Sequence, residues 1–248
     1  MTTRSAARST AAMLGFALIL GIGFVLHRGA AAAAAPAAGH AAATPVTAKE
    51  ARDRLVAGNA RFVAGTSKHG HASNSWIKGL SGGQQPFATV LGCSDSRVPV
   101  ELVFDQGFGD LFVIRVAGNV VSPEDLGSIE YAVHHLHTQL IVVMGHESCG
   151  AVTSALLPDS VRAHEAKGIQ QLLDDIQPAL TGIDPKLSAA ERVHRGVEAN
   201  VWLSIDKLSA TAELTKSHEG PAPTILGAVY DIGTGKVRWL ERKASAAR

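Results

Sequence analysis

The stretch "PFATVLGCSDSRVPVE", residues 86–101, decides the fold. Its first half is a continuous apolar run that stops at Gly92, the pattern of a strand buried on both faces, as in a parallel sheet. Its second half places a cysteine, an acid and a base at every second position: Cys93, Asp95 and Arg97. A reactive set directly after a buried strand belongs to the carboxyl edge of an open α/β sheet, where ligands sit.

Working outward, the same grammar repeats. "GDLFVIRVAGNVV", residues 109–121, reads as a second strand, and "QLIVVMGH", residues 139–146, as a third. Between them "SPEDLGSIEYAVHHLHT" is a helix with Ser122 as N-cap, Pro123 at the first position and acids in the first turn. A short helix is expected over "VPVELVFD", another opens at "SCGAVTSALL", and residues 165–182 and 188–208 read as two more. "TILGAVYDIGTGKVRWL", residues 224–240, is a closing hairpin around "DIGTGK". Upstream, "TPVTAKEARDRLVAGNARFVAG" is a helix with Thr47 and Glu50 at capping-box spacing, and "TSKHGHASNSW", residues 66–76, is polar loop. Strands alternating with helices predict a three-layer α/β domain with a mainly parallel sheet.

The first 45 residues read as targeting rather than fold. Arg4 and Arg8 precede an uncharged apolar run, residues 11–26, followed by an Ala-rich segment with Pro36 and Pro45. That is the order of a secretory signal and linker, which predicts an exported, periplasmic protein whose domain spans residues 46–248. The alternative is an uncleaved membrane anchor, although the 16 residues of 11–26 are short against the roughly 20 of a spanning helix. Residues 1–45 hold three arginines and no acid; setting them aside leaves 20 basic against 22 acidic residues. The domain therefore carries no basic footprint for nucleic acid.

The chain has two cysteines, Cys93 and Cys149, the latter three residues after His146 in "GHESCGA". A disulfide, a pair of idle buried thiols and two ligands of one metal are all open on residue type, and export favours the disulfide. A bridge, however, gives no reason for Asp95 and Arg97 beside one sulfur and a histidine beside the other. Cys93, His146 and Cys149 make a Cys2His set of the kind that holds catalytic zinc with one position open. Cys149 at a helix start is placed to be a thiolate. Glu147 and Ser148 shape the turn between the two ligands.

"GGQQPFATVLGCSDSRVP", "GDLFVIRVAGNVV", "SIEYAVHHL" and "VVMGHESCGAV" together resemble the β-class carbonic anhydrases in order and spacing, over roughly residues 47–240. The resemblance implies the reversible hydration of carbon dioxide to bicarbonate by a zinc-bound hydroxide, with one zinc per chain on Cys93, His146 and Cys149. It implies four parallel core strands, an added C-terminal strand, and an N-terminal helical arm embracing a partner in a homodimer or dimer-based larger assembly. Asp95 and Arg97 match the family's paired catalytic carboxylate and guanidinium, Gln84 its substrate-side glutamine (Gln85 if the register shifts by one), and Phe112 and Tyr131 its cleft aromatics. The last three then face the metal of the other subunit. In some relatives the carboxylate corresponding to Asp95 becomes a fourth ligand in a closed form. One branch stabilises that form with a tryptophan three residues before the first cysteine. Val90 stands there in this chain, which implies that the bicarbonate pocket of that branch is absent and that the open form, with Asp95 paired to Arg97, dominates at neutral to alkaline pH. Carbonyl sulfide or carbon disulfide as substrate, and a non-catalytic zinc-stabilised module, are the competing readings.

Overall fold

The computed structural model describes residues 46–215 and 221–242. The signal or anchor expected within residues 1–45 lies outside them. No helix among the described residues is long and apolar enough to cross a membrane.

In chain order the elements are α1 (Ala48–Val63), α2 (Asn74–Gly79), β1 (Ala88–Gly92), α3 (Val100–Val103), β2 (Leu111–Arg115), α4 (Pro123–His134) and β3 (Leu140–His146). There follow α5 (Gly150–Ala155), α6 (Asp159–Arg162), α7 (Lys167–Leu180), α8 (Ala189–Ser209), α9 (Ala212–Thr215), β4 (Thr224–Tyr230) and β5 (Val237–Leu240). The sheet order is β2-β1-β3-β4-β5. β2, β1, β3 and β4 run parallel, and β5 returns antiparallel to β4. This is the four-plus-one sheet that the motifs implied.

The alternation of side chains along the strands builds both faces. From β1, Ala88 and Val90 join Leu140, Val142 and Met144 of β3 in a core under α1 and α3. Leu91 joins Ile141 and Val143 in a second core under α5, α7 and α8. Both central strands are buried along their whole length, which is why each reads as an unbroken apolar run.

Helix α1 lies on the first core through Ala51 and Leu55, both fully buried. Gly58 lets it approach: a Cβ there would stand 1.8 Å from the Phe104 carbonyl oxygen. Asn59 then stitches three segments. Its Nδ2 donates to the Val103 and Gly235 carbonyls at 3.0 and 2.9 Å, and its Oδ1 accepts from the Val237 amide at 2.9 Å. The buried amide is thereby satisfied on both ends.

Three local expectations change. The region 66–76 is not all loop, because Ser73 Oγ accepts from the Trp76 amide and caps α2. The second strand ends at Arg115 rather than running to 121, because Gly118 and Asn119 turn left-handed at φ 70° and 43°. At α1, Thr47 accepts from the Glu50 amide, but the Glu50 carboxylate pairs with Arg54 instead of closing a capping box. The full box forms at α4, between Ser122 and Asp125.

Candidate metal centre

The chain passes from β1 to β2 on one side and returns to β3 on the other, so the strand order reverses between β1 and β3. Cys93 follows the end of β1 and His146 ends β3, which places both at the crevice where α/β sheets bind ligands. By the period of two, Cys93 leans to the α8 face with Leu91, and His146 shares parity with Val142 and Met144. Cys149, the N-cap of α5, closes the third side.

One sulfur or ring nitrogen from each of Cys93, His146 and Cys149 lies within 4.8 Å of the others, and all three residues are buried. The two thiols are free, so the disulfide reading falls. The His146 Nδ1–H donates to the Glu147 carbonyl at 3.0 Å, which leaves Nε2 as the ligating nitrogen. That Nε2 is buried and meets no hydrogen-bond partner. A buried lone pair without a partner, facing two sulfurs, fits a metal ligand. Two thiols and one imidazole nitrogen converging from separate elements are the donor types that zinc takes. The donor set fits a tetrahedral Cys2His site with one position open.

The electrostatics point the same way. The bond from the Cys149 thiol, opposed by burial and aided by the neighbouring His146 and the Asp95 and Gly118 backbone, brings the Cys93 thiol down to about 4. Cys149, donating to Cys93 and buried, is pushed up. Burial opposes charge on His146, but the Cys93 sulfur, the Glu147 carbonyl and Asp95 outweigh it and raise its pKa. A dication would hold both sulfurs as thiolates, because metal ligands bind deprotonated.

Asp95 turns both carboxylate oxygens to Arg97. Oδ1 accepts from Nε at 2.9 Å and from the Arg97 amide at 2.9 Å, and Oδ2 accepts from a terminal nitrogen at 2.7 Å. The Arg97 guanidinium, opposed by burial, holds the carboxyl well below its ordinary range. Asp95 Oδ2 still lies 3.8 Å from His146 Nε2, at the margin of the ligand set. The Asp95–Arg97 pairing expected for an open site is therefore the one present.

Supports that the sequence did not mark hold this geometry. Arg115, at the end of β2, donates to the Cys93 carbonyl at 3.0 Å and the Asp95 carbonyl at 2.6 Å. Its lone charge in "LFVIRV" was the available signal. The Gly118 amide donates to Cys93 Sγ at 3.3 Å. Gly118 is required there, since its φ is 70° and a Cβ would meet Ile176 Cδ1 at 2.7 Å. Helix α8 holds that turn: Asn200 Nδ2 donates to the Gly118 carbonyl at 2.6 Å and Ser204 Oγ to the Asn119 carbonyl at 2.9 Å.

The remaining expected residues lie elsewhere. Phe112 sits on β2 opposite Thr89, three residues and roughly 10 Å before Arg115. Its ring is 6.2 Å from that of Tyr131, which is 46% exposed on α4. Gln84 and Gln85 border a cavity of about 380 Å³ with Arg54, His71, Trp76 and Phe87, before the start of β1. Among the described residues, no hydrogen bond or ion pair joins Gln84, Phe112 or Tyr131 to the Cys-His-Cys cluster.

A three-layer α/β sheet with a Cys2His cluster at its switch point defines a metalloenzyme. The sequence profile of the family described as carbonic anhydrase matches residues 88–237. Carbonic anhydrase 2 of Mycobacterium tuberculosis is 40% identical over 184 residues, covering 73% of this chain and 87% of that protein. Carbonic anhydrase of Mycolicibacterium smegmatis is 37% identical over 181 residues, covering 73% of this chain and 87% of its own. Among solved structures, the β-carbonic anhydrase CafA of Aspergillus fumigatus superposes with a TM-score of 0.62 at 28% identity, over 78% of this chain and 92% of its own. A tetrameric β-carbonic anhydrase of Sordaria macrospora gives 0.61 at 30% identity, over 76% and 95%. The chain belongs to the β-carbonic anhydrase family.

Proposed function

We propose that this chain is a zinc-dependent carbonate dehydratase, interconverting carbon dioxide and water with bicarbonate and a proton. The observation that carries this is the buried, unpartnered His146 Nε2 facing Cys93 and Cys149, with the Asp95–Arg97 pair 3.8 Å away. Zinc, held by Cys93, His146 and Cys149, supplies Lewis acidity that lowers the pKa of water to about 7.

The residues around it do the rest. Asp95 accepts a hydrogen bond from the reacting water and aims its oxygen at the substrate carbon. Arg97 keeps Asp95 ionised and fixed through the bidentate pair. The Gln84 amide donates to a substrate oxygen as charge grows on it. Phe112 and Tyr131 give an apolar wall suited to an uncharged gas. Because these three lie away from the cluster of their own chain, they serve the metal centre of a neighbouring copy. The tetrameric relative from Sordaria macrospora supports a dimer-based assembly.

The test is carbon dioxide hydration with zinc analysis on wild type and Asp95→Asn. One zinc per chain in both, with activity about a hundredfold lower in the variant, is expected when the group that aims the reacting oxygen is lost. Equal activity would remove Asp95 from the mechanism, and an inactive zinc-loaded wild type would overturn the hydration reading.

The arginines at 4 and 8, the apolar run 11–26 and the Ala-rich segment after it support export with cleavage. A mature N-terminus at Met1 in the native host would refute cleavage and favour an anchor.

A further inference from the structure

Glu147 lies between two of the proposed ligands and contacts its surroundings three ways. Its carbonyl accepts the His146 Nδ1–H at 3.0 Å. Its amide donates to the Tyr230 carbonyl at 2.9 Å, extending the β3–β4 ladder by one bond. Its carboxylate is gripped from outside the turn, where His194 Nδ1 on α8 stands 3.0 and 3.1 Å from its two oxygens. A carboxylate only accepts, so the proton in this bond is on Nδ1.

The grip is itself held. His194 Nε2 lies 3.6 Å from Glu198 Oε1, one helical turn along α8, and Arg238 of β5 pairs with that same oxygen at 2.5 Å. Arg238, Glu198, His194 and Glu147 therefore form a chain from the sheet's last strand, over α8, to the metal turn. The turn needs such a hold, because Ser148, between Glu147 and Cys149, is in the left-handed region at φ 56°. A non-glycine residue persists there only when its surroundings over-determine it. The His194–Glu147 pair is half open to solvent, with side-chain exposures of 49% and 28%. A pair so exposed contributes little to fold stability.

We infer that His194 is a positioning residue for the metal centre: through Glu147 it fixes the peptide that orients the His146 ring and sets the Ser148 turn leading to Cys149. Asn200 and Ser204 on the same helix support Cys93 through the 118–119 turn, so α8 orients both strand-end ligands from one rigid element. This deepens the zinc reading and rests on it. A metal site is weakened when the groups behind its ligands loosen, even though the ligands remain.

The test uses the full-length protein as wild type, His194→Leu and His194→Asn, the last because its amide nitrogen reaches the place of Nδ1. Zinc affinity is measured by competition with a chromophoric chelator, coordination by the visible spectrum of the cobalt-substituted protein, and stability by thermal unfolding of the metal-free form. His194→Leu should bind zinc about tenfold more weakly, the low end for groups behind a ligand. It should also shift the cobalt bands and leave metal-free unfolding nearly unchanged, while His194→Asn returns toward wild type. Wild-type affinity and spectrum in His194→Leu would overturn the inference, as would equal losses in both variants or a loss matched by lower metal-free stability. A wild type that binds no zinc would instead overturn the metal reading beneath it.

Discussion

The two ends of strand β1 are built differently. Beyond its carboxyl end, Cys93 meets His146 and Cys149 in a buried cluster that one chain completes, braced by Arg115, Gly118 and α8. Near its amino end, Gln84 is exposed on a cavity, and Phe112 of β2, opposite Thr89, makes an aromatic pair with the half-open ring of Tyr131 on α4. The contrast separates two tasks. Holding an ion needs donors fixed against one another, which a single sheet crevice supplies. Enclosing a small apolar substrate needs a wall opposite the ion, which in the proposed assembly comes from a neighbouring copy.

The largest expected effect breaks one end and spares the other. Cys149→Ser removes a thiolate and should lose both zinc and hydration, whereas Gln84→Ala should keep a full complement of zinc and lose about tenfold in kcat/KM. The net worth of one hydrogen bond, about 1 kcal/mol, is on that scale. Zinc loss in Gln84→Ala would mean that the two ends are not independent.

Mixed assemblies sharpen the comparison. Subunits carrying Asp95→Asn, reassembled with subunits carrying Gln84→Ala, should recover activity that neither has alone. In such a pair one site combines an intact Asp95 from one chain with an intact Gln84 from the other. No recovery on mixing, with exchange verified by mass, would place Gln84 at its own chain's metal.

The smallest effect concerns how firmly the exposed end is held. Asp105, buried after α3, accepts from Arg61 Nε at 2.5 Å, from the Lys68 amide at 2.9 Å and from the His69 amide at 3.1 Å, tying α1 and the 66–71 loop together. Burial pushes its carboxyl up, but the Lys68 amide, Arg61 and the His69 amide outweigh it and hold it below its ordinary value. A depressed folded value means that the ion pair stabilises in full above the unfolded pKa of about 3.9 and is lost as pH falls through the folded value. Asp105→Asn should cost about 2 kcal/mol at pH 7, the scale of a hydrogen-bonded charge. The gap to wild type should be narrower in urea unfolding at a pH below that folded value than at pH 7. A gap of the same size at both pH values would show that Asp105 acts through packing alone.

Much of the carboxyl end was legible beforehand. β1 and β3 are short apolar runs ending in glycine or histidine, and His146 and Cys149 are three apart, so element type and ligand type were written together. The amino end was legible only through family likeness. Nothing in the spacing of Gln84, Phe112 and Tyr131 relates them, and the residues that line the cavity with Gln84, such as His71 and Arg54, come from separate elements. The left-handed turns at Gly118–Asn119 and Ser148 were hidden too, because backbone strain at asparagine and serine has no periodic mark.

By itself, the sequence determined the α/β class, the family and the three ligand candidates, because each depends on short-range pattern: a buried strand, a cap, a thiol three residues from an imidazole. Only the tertiary structure decided that the thiols stay unpaired and that Arg115, Gly118 and α8 brace the cluster. Those outcomes come from hydrogen bonds across separations of 25 residues for Gly118 to Cys93, 47 for His194 to Glu147 and 82 for Asn200 to Gly118. A bond over such distances exists only once the sheet has brought its ends together, so no local pattern can announce it.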